Sequence, residues 1–373
     1  MQLQDFQNRS RLPTLDGIRA VALFLVMVSH YLDVPGGRMA LNAFFALSGF
    51  LITWLLVLEY QRDNTVSLSA FVTRRIFRIF PAYYAFLIVI FTVEYLQRTP
   101  DLEKFLAPTF FYYLNYFVAV TDNKLPEIQH LWSLSVEEQF YLFWPVTFLF
   151  LMRLGLNRAL AWVAIAIVAV FAWRSFAWLV LGFEEKYVYR ALDTRIDSIL
   201  VGCLLALGLQ HPNWREWLWG LTRHAFMIVP VVAALAISIW GTVTNGDYGY
   251  TLGFTIDGLL LCYLLLHCLR HSDHWSVSWL DLKWMAFIGA ISYPVYLYHE
   301  LAAGIATKGT HLILALTGIE LGEQTLLYTI ALASACGALT AGYLSYRLVE
   351  QPMMRLRDRV IRDRAKAPTP RGA

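Results

Sequence analysis

Stretches of about 20 mostly apolar residues recur along nearly all of this 373-residue chain, and they constrain its fold more than any other feature. A helix of that length crosses the hydrocarbon core of a bilayer. Ten stretches are predicted as transmembrane helices, at residues 15–34, 42–58, 81–97, 131–152, 159–181, 196–210, 224–242, 251–269, 284–304 and 324–347. The sequence therefore predicts an all-α, polytopic membrane bundle of about ten helices. Residues 1–352 are predicted to form one membrane domain, and residues 353–373 a basic cytoplasmic tail.

The composition agrees with a membrane protein. Apolar residues make up 58% of the chain and charged residues only 15%, whereas soluble domains carry about 25% charged residues. The four cysteines fall inside predicted spans and lack the spacing of a disulfide framework or a metal site. The net charge is only +3. The expected surrounding is therefore a lipid bilayer, and no nucleic-acid partner is expected.

The basic residues between the spans predict the orientation of the chain. With the N-terminus in the cytoplasm, about three basic residues lie inside for each one outside, as the positive-inside rule requires. Both termini are then cytoplasmic. A further apolar segment, 105–120, would reverse every later loop if it were a full span, so it is predicted to be an interfacial or re-entrant piece on the outer side.

The first span carries two polar residues that are costly in a membrane, Arg19 and His30. Eleven residues separate them, which on a helix corresponds to about 16.5 Å and places them within about 20° of the same face. This spacing suits an anionic ligand at the inner rim whose long flexible arm reaches the histidine. The alternative interpretation is that Arg19 snorkels to the interface and His30 makes a packing contact.

A basic cluster precedes the third span. Arg75 and Arg78 lie three residues apart on one helical face, with Arg74 beside them. Guanidinium groups bind phosphate in a bidentate manner, so these arginines are candidate ligands of an acyl-CoA donor. The alternative is simple anchoring to anionic lipid.

Glu137 and Glu138 begin the fourth span at about the predicted depth of His30. One of them is expected to orient His30 and to stabilise its imidazolium, as a carboxylate does in hydrolytic triads. In the alternative interpretation one glutamate faces an outer vestibule and the other pairs with Arg195.

In the ninth span, His299, Tyr296 and Tyr293 are candidate contacts for a sugar acceptor, with an aromatic belt at the interface as the alternative. A further charged set, expected to form a structural network of its own, consists of Asp193, Arg195 and Asp197.

In their order along the chain these segments resemble the bacterial membrane acyltransferases of acyltransferase family 3, which include O-antigen and exopolysaccharide O-acetylases. The matching segments are LDGIRAVALFLVMVSH, FFALSGFLI, RRIFRIFPAYY, LWSLSVEEQFYLFWP, DTRIDSILVGCLLA, ISYPVYLYH and YRLVEQP. Each segment alone is weak evidence for the family, but the seven segments run through nearly the whole chain in the family order. Some members carry an additional periplasmic SGNH-type domain, and none is expected here.

The resemblance implies that His30 is the catalytic histidine, that Arg19 supports donor binding, and that Arg75 and Arg78 contact a cytoplasmic acyl-CoA. It also implies a role for the glutamates of SVEEQ without indicating which of the two acts. The implied location is the bacterial inner membrane.

The expected function is transfer of an acyl group, with acetyl the expected one, from acetyl-CoA or another acyl-CoA to a hydroxyl of a glycan or lipid-linked sugar. A histidine with an unperturbed pKa near 6.5 suits the general base. It activates the hydroxyl directly or takes the acyl group first as an acyl-imidazole. No metal is expected.

Two other classes of protein stay open as alternatives to an acyltransferase. A transporter or flippase of a surface-glycan pathway would show paired broken helices and pseudo-symmetry, which the sequence does not reveal. A non-catalytic assembly protein would tolerate loss of both His30 and Arg75.

Overall fold

The computed structural model describes residues 13–366, and all regular secondary structure in that range is helical. The main helices are α1 (Pro13–Leu32), α2 (Gly37–Asp63), α3 (Leu68–Leu96), α4 (Glu103–Phe110), α5 (Leu114–Val120), α6 (Trp132–Leu154), α7 (Leu156–Leu179), α8 (Leu192–Gly208), α9 (Pro212–Leu221), α10 (Ile228–Thr244), α11 (Phe254–Arg270), α12 (Lys283–Ala290), α13 (Ser292–Thr317), α14 (Glu323–Ser345) and α15 (Gln351–Lys366). Shorter helical turns are Pro126–Gln129, Glu185–Arg190, Ala225–Met227, Gly246–Tyr248, Gly249–Gly253, Ser278–Asp281 and Tyr346–Glu350. The predicted all-α bundle is confirmed.

A long helix overlaps each of the ten predicted stretches, and by length and composition seven helical segments of the described chain can cross a membrane. These seven are Pro13–Leu32, Gly37–Asp63, Leu68–Leu96, Leu156–Leu179, Ala225–Thr244, Gly246–Arg270 and Glu323–Ile361. Among the other long helices, α8 has only 17 residues, while α6 and α13 carry charged residues within their apolar length. The number ten and the cytoplasmic termini stay predictions, and Arg9, Arg11 and the tail residues 367–373 lie outside the described residues.

The packing of the helices suits a membrane rather than water. The interior is filled by apolar side chains such as Leu23, Phe50 and Phe86, which are fully buried. Large apolar side chains also cover the outside of the bundle, and Leu142 and Val168 are more than 60% exposed. An apolar outer surface is stable where lipid, not water, surrounds the helices.

Helices α2 and α8 cross closely because each presents a glycine to the backbone of the other. A Cβ atom on Gly49 would collide with the carbonyl oxygen of Ile199, and one on Gly202 would collide with the carbonyl oxygen of Ala46. Small residues at such crossings let two membrane helices approach until their backbones touch. This contact holds α8 against α2, the helix that follows α1 and its residue His30.

We expect Gly202→Ala to destabilise the protein by roughly 1–3 kcal/mol, because the added methyl group forces two backbones apart. Gly309→Ala is the matched control, because nothing lies within 4 Å of a Cβ at that helical position. There the substitution should leave stability unchanged or raise it by about 0.5–1 kcal/mol, since alanine favours a helix over glycine. The unfolding temperature in detergent should therefore fall for Gly202→Ala and stay the same or rise for Gly309→Ala, and equal shifts would contradict the close crossing.

The segment 105–120 is not a full span. Helices α4 and α5 have 8 and 7 residues and are joined at Tyr112. The hydroxyls of Tyr83 and Tyr84, halfway along α3, donate to the carbonyls of Thr109 and Phe110 at 2.9 and 3.0 Å. The segment therefore reaches the middle of α3, which supports the re-entrant form of the prediction.

Carbonyls at the end of a helix and in the turn after it need protein partners where lipid surrounds them, because lipid offers none. The tyrosine hydroxyls satisfy two carbonyls at the end of α4, and the side-chain amide of Gln139 donates to the carbonyl of Tyr112 in the turn at 2.7 Å.

Two of the three charges at the start of α8, Arg195 and Asp197, are fully buried, and Asp193 is half-buried, but they form no salt bridge with one another as predicted. Arg174 on α7 binds Asp197 at 2.8 Å, and Arg195 donates to Asn42 at 2.7 Å. Asp193 instead accepts from the indole of Trp173 at 2.7 Å. The alternative in which Arg195 pairs with Glu137 or Glu138 is likewise not observed, because the Arg195 guanidinium donates to the side-chain oxygen of Asn42.

Candidate active site

His30 meets a carboxylate contributed by another helix. It lies in the last turn of α1, and its Nδ1 atom hydrogen-bonds to a carboxylate oxygen of Glu300 on α13. About 39% of the His30 side chain is exposed, against 21% for Glu300. Because Nδ1–H donates to Glu300, the neutral ring carries its lone pair on Nε2. Nε2 makes no hydrogen bond to any residue that the structure describes, so it is open to a reacting molecule.

The turn after α1 fixes the end of the helix that carries His30. The hydroxyl of Ser29 donates to the carbonyl of Val34 at 2.7 Å and accepts from the amide of Gly37 at 3.1 Å. Gly36 has a φ of 136°, a conformation that glycine adopts without strain. Local hydrogen bonds thus fix the turn between α1 and α2, and His30 lies just before this turn.

The buried ring of His299 packs against both His30 and Glu300. Its ring is fully buried, and its Nδ1–H donates to the carbonyl of Tyr296 at 2.6 Å. Its Nε2 atom lies 3.5 Å from the same Glu300 oxygen, and its ring centroid lies 5.1 Å from that of His30. Tyr31 adds a hydrogen bond to the His299 carbonyl at 3.0 Å. These contacts limit the positions that Glu300 and His30 adopt.

The predicted acceptor residues are engaged within the protein. Tyr296 is buried, its hydroxyl donates to the carbonyl of His130 at 3.1 Å, and it also contacts the Ser133 hydroxyl at 2.7 Å. The hydroxyl of Tyr293 donates to the carbonyl of Ile79 at 3.3 Å. The ring of Tyr296 stacks on that of His299 beside His30, with 5.2 Å between centroids, whereas Tyr293 faces Glu138. An acceptor contact by any of the three residues stays a prediction.

The carboxylates of Glu137 and Glu138 are not the partners of His30, contrary to expectation. Glu137 is hydrogen-bonded to the hydroxyls of Ser48 and Tyr141 and faces the charge of Arg75. Glu138 faces the same arginine. The prediction misjudged the depth of the two glutamates, because the charges that face Glu137 include Arg19, which lies eleven residues, or about 16.5 Å, along α1 from His30. A catalytic part for either glutamate stays a prediction.

Three of the four predicted donor arginines face a common region. The guanidinium of Arg75 lies 4.1 Å from the ring centroid of Tyr141. Arg78 is within electrostatic range of both Arg19 and Arg75, as well as of Glu350. Arg19 and Arg78 also approach Asp16, which binds the Arg19 guanidinium at 3.0 Å.

Arg74 points elsewhere. It forms a salt bridge with Glu59 at 2.8 Å, and the same glutamate accepts from the backbone amide of Ser67, the N-cap residue of α3. The observed contact of Arg74 therefore joins the ends of α2 and α3. A donor contact by Arg74 stays a prediction.

Two residues of this site were missed by the sequence analysis, Glu300 and His130. The signal was present for Glu300, because a carboxylate inside a predicted span needs a partner. His130 lies just before α6; its Nε2–H donates to the Leu297 carbonyl at 3.2 Å, and its ring centroid lies 4.7 Å from that of His299. That proximity depends on the tertiary fold and has no sequence signal.

The set His30, His299 and Glu300 could also hold a metal ion, because one ligand atom from each lies within 4.8 Å of the others. Two imidazoles and a carboxylate are a ligand set that binds zinc. A bound ion would take the imidazole lone pair that proton transfer requires.

We expect acyl transfer by the purified protein to survive treatment with EDTA and to fall when micromolar Zn²⁺ is added. The physical reason is competition between the ion and the reacting molecule for the His30 ring. Release of CoA thiol from acetyl-CoA measures both effects. Loss of activity with EDTA and its recovery with Zn²⁺ would contradict a metal-free site.

Comparison with known proteins indicates the family of the chain. A family model described as an acyltransferase domain matches residues 12–347. Peptidoglycan O-acetyltransferase OatA of Listeria monocytogenes is 27% identical over 375 residues, which cover 93% of this chain and 56% of that protein. O-acetyltransferase OatA of Staphylococcus aureus is 25% identical over 379 residues, covering 95% of this chain and 60% of that protein.

The chain thus spans little more than half the length of these relatives. No solved structure matches it. The family match includes α1 with Arg19 and His30, the arginines of α3, the glutamates of α6 and Glu300 on α13. The chain therefore belongs to acyltransferase family 3, the membrane acyltransferases that this domain defines.

Proposed function

We propose that this protein transfers an acetyl group from acetyl-CoA, bound from the cytoplasmic side, to a hydroxyl of a glycan or lipid-linked sugar on the outer side of the bacterial inner membrane. The observation that carries the proposal is the His30–Glu300 hydrogen bond, which leaves Nε2 of an exposed histidine free. The names of the two OatA relatives support an O-acetyltransferase, and one of them names peptidoglycan as its substrate.

In the direct route, Nε2 of His30 takes the proton of the acceptor hydroxyl while its oxygen attacks the thioester carbonyl. The carbon–sulfur bond then breaks, and the imidazolium returns the proton to the departing CoA thiolate. The Glu300 carboxylate stabilises the imidazolium that forms between these steps, as the buried carboxylate does in hydrolytic triads.

In the two-step route, Nε2 attacks the thioester carbonyl, the carbon–sulfur bond breaks, and CoA leaves as its thiolate. The acceptor oxygen then attacks the acetyl group on Nε2, the carbon–nitrogen bond breaks, and the hydroxyl proton passes to the thiolate or to water. Both routes require an unprotonated Nε2 that is open to the reactants.

The donor is proposed to lie along α1. Arg19, Arg75 and Arg78 would bind the phosphates of the nucleotide, since guanidinium groups bind phosphate strongly. His30 lies on the same continuous helix as Arg19, eleven residues further on, which corresponds to about 16.5 Å. The extended pantetheine arm of CoA is suited to such a separation, so the nucleotide and the thioester would occupy opposite ends of the helix.

We expect Arg75→Ala and Arg78→Ala each to raise the KM for acetyl-CoA about tenfold or more, because each variant removes a charge-assisted hydrogen bond to phosphate. The rate at saturating donor should change much less, since the arginines lie away from the reacting atoms. Arg62→Ala is the control, because Arg62 is 75% exposed and pairs with Asp63 beside it in sequence. An unchanged KM in both α3 variants would remove these arginines from the donor site.

The proposal is tested against a transporter by incubating purified protein with acetyl-CoA in detergent, where no gradient exists. An acyltransferase should release CoA thiol, and a membrane glycan extract should stimulate the release. A transporter without acyl-transfer chemistry would leave acetyl-CoA intact under both conditions.

A further inference from the structure

Two cavities open at the end of the bundle that carries α9. The first has a volume of about 300 Å³ and is lined by Arg215, Glu216, Trp219, Gly220, Arg223 and Arg270. The second has a volume of about 500 Å³ and is lined by Ile228, Val229, Val232, Trp275, Ser276 and Trp279. The two cavities share no lining residue. Residues 215–223 and 270 line the first, and residues 228–232 and 275–279, a few positions further along the same two segments, line the second. Along both segments, residues of a polar cavity are therefore followed by residues of an apolar one.

The polar cavity carries an excess of positive charge, with three arginines against the single carboxylate of Glu216. Within the described part of the chain, neither Arg215 nor Arg223 takes part in a salt bridge. Arg270 is held in place, because it donates to the carbonyl of Trp219 and its guanidinium lies 5.1 Å from the Trp219 ring centroid. Clustered guanidinium groups of this kind bind phosphate.

The surroundings of this cavity have the character of a membrane interface. Helix α9 exposes Trp217 and Leu221, and amphipathic aromatic residues are enriched at membrane interfaces. A hydrogen bond of 2.9 Å between Gln61 and Gln210 ties the start of this region to the end of α2. That is the end of the bundle near the Arg74–Glu59 salt bridge, where the loops are rich in basic residues.

We propose that the two cavities form one binding site for an anionic phospholipid. The arginines of the polar cavity hold the phosphate, and the apolar cavity holds the upper part of an acyl chain. The apolar half favours a lipid over free phosphate, because its walls are Ile228, Val229, Val232 and two tryptophans, of which Trp275 is 81% exposed. The proposal is independent of acyl transfer, since none of these residues belongs to the site around His30.

The test is native mass spectrometry of the full-length, delipidated protein in detergent with dioleoyl phosphatidylglycerol or dioleoyl phosphatidylcholine. The wild-type protein should bind the anionic lipid more tightly. The double variant Arg215→Gln, Arg223→Gln should lose about tenfold or more of that affinity, because it removes two of three phosphate ligands.

The double variant Arg153→Gln, Arg158→Gln removes two exposed arginines that line neither cavity and should bind like the wild type. Equal binding by both double variants would overturn the proposal.

Two further arms separate a lipid site from a phosphate site. Val232→Trp fills the apolar cavity while leaving the arginines intact, and it should weaken lipid binding several-fold. Inorganic phosphate and glycerophosphoglycerol, which lack acyl chains, should not displace the bound lipid at millimolar concentration. Displacement by inorganic phosphate, or unchanged binding by Val232→Trp, would show a site for phosphate alone and overturn the assignment to a phospholipid.

Discussion

Replacing His30 by alanine should lower acetyl transfer about 10³-fold or more, because a positioned base contributes roughly 10²- to 10⁴-fold to proton transfer. The two imidazoles that the structure places around His30, those of His130 and His299, are buried. In a deletion strain, the variant should fail to restore the acetyl groups of the surface glycan, which mass spectrometry detects as loss of one acetyl mass per modified unit. The fold should survive, because His30 lies at the rim of the bundle and about 39% of its side chain is exposed.

His311→Ala is the matched control, because His311 is an exposed histidine on α13, the helix that carries Glu300. It should restore acetylation fully. The amount of each variant in the membrane and its elution as a single species in detergent check folding. Normal acetylation by the His30 variant would refute the assignment of His30 as the base or as the acyl carrier.

Removing the Glu300 carboxylate should have the second largest effect. We expect Glu300→Ala to lower the rate at saturating donor by about 10²-fold or more, because His30 would lose both its orientation and the charge that stabilises its imidazolium. Glu300→Gln retains the size of the side chain and one acceptor oxygen but loses the charge, so it should recover only part of the rate. Glu300→Asp keeps the charge, and partial rescue by it would identify charge as the main contribution.

A purely structural role for Glu300 predicts a different pattern, in which the rate follows the thermal stability of each variant. Measuring the rate and the unfolding temperature of all three Glu300 variants separates the two cases, because a role in orienting and stabilising His30 predicts a low rate in variants that unfold at the wild-type temperature. Glu103→Gln, at an exposed carboxylate on α4, should leave the rate unchanged. A normal rate in Glu300→Gln would remove Glu300 from the mechanism.

Much of the fold follows from sequence because a bilayer allows few solutions. Apolar stretches of fixed length predict the long helices, and the charge bias indicates that 105–120 is not a span. The depth of that segment was not predictable, because it depends on hydrogen bonds from Tyr83 and Tyr84 to carbonyls 26 residues away. The sequence of a membrane helix predicts its length well, but it predicts poorly how the helix is rotated and which helices it contacts.

The site shows the same division. The helical period places Arg19 and His30 on one face of α1, which needs no tertiary information. The partner of His30 is 270 residues away on α13, whereas the glutamates of α6 face Arg75, and Glu137 also faces Arg19. The depth of α6 relative to α1 depends on tertiary packing, so the sequence could not choose between Glu300 and those glutamates. Arg74 shows the same dependence on tertiary structure. Its sequence position beside Arg75 and Arg78 predicts the same donor contact for all three, whereas the structure pairs Arg74 with Glu59.

Photo-crosslinking with a CoA thioester that carries a photoreactive acyl group is the most direct test of the central claim, that the nucleotide binds at the arginines while the thioester reaches His30. The label should appear on the peptides that contain His30 or Glu300, and excess CoA should prevent it. Arg75→Ala and Arg78→Ala should reduce the labelling at equal probe concentration. Labelling confined to the arginine-bearing end of α3, or labelling of His30 that CoA does not prevent, would contradict the claim.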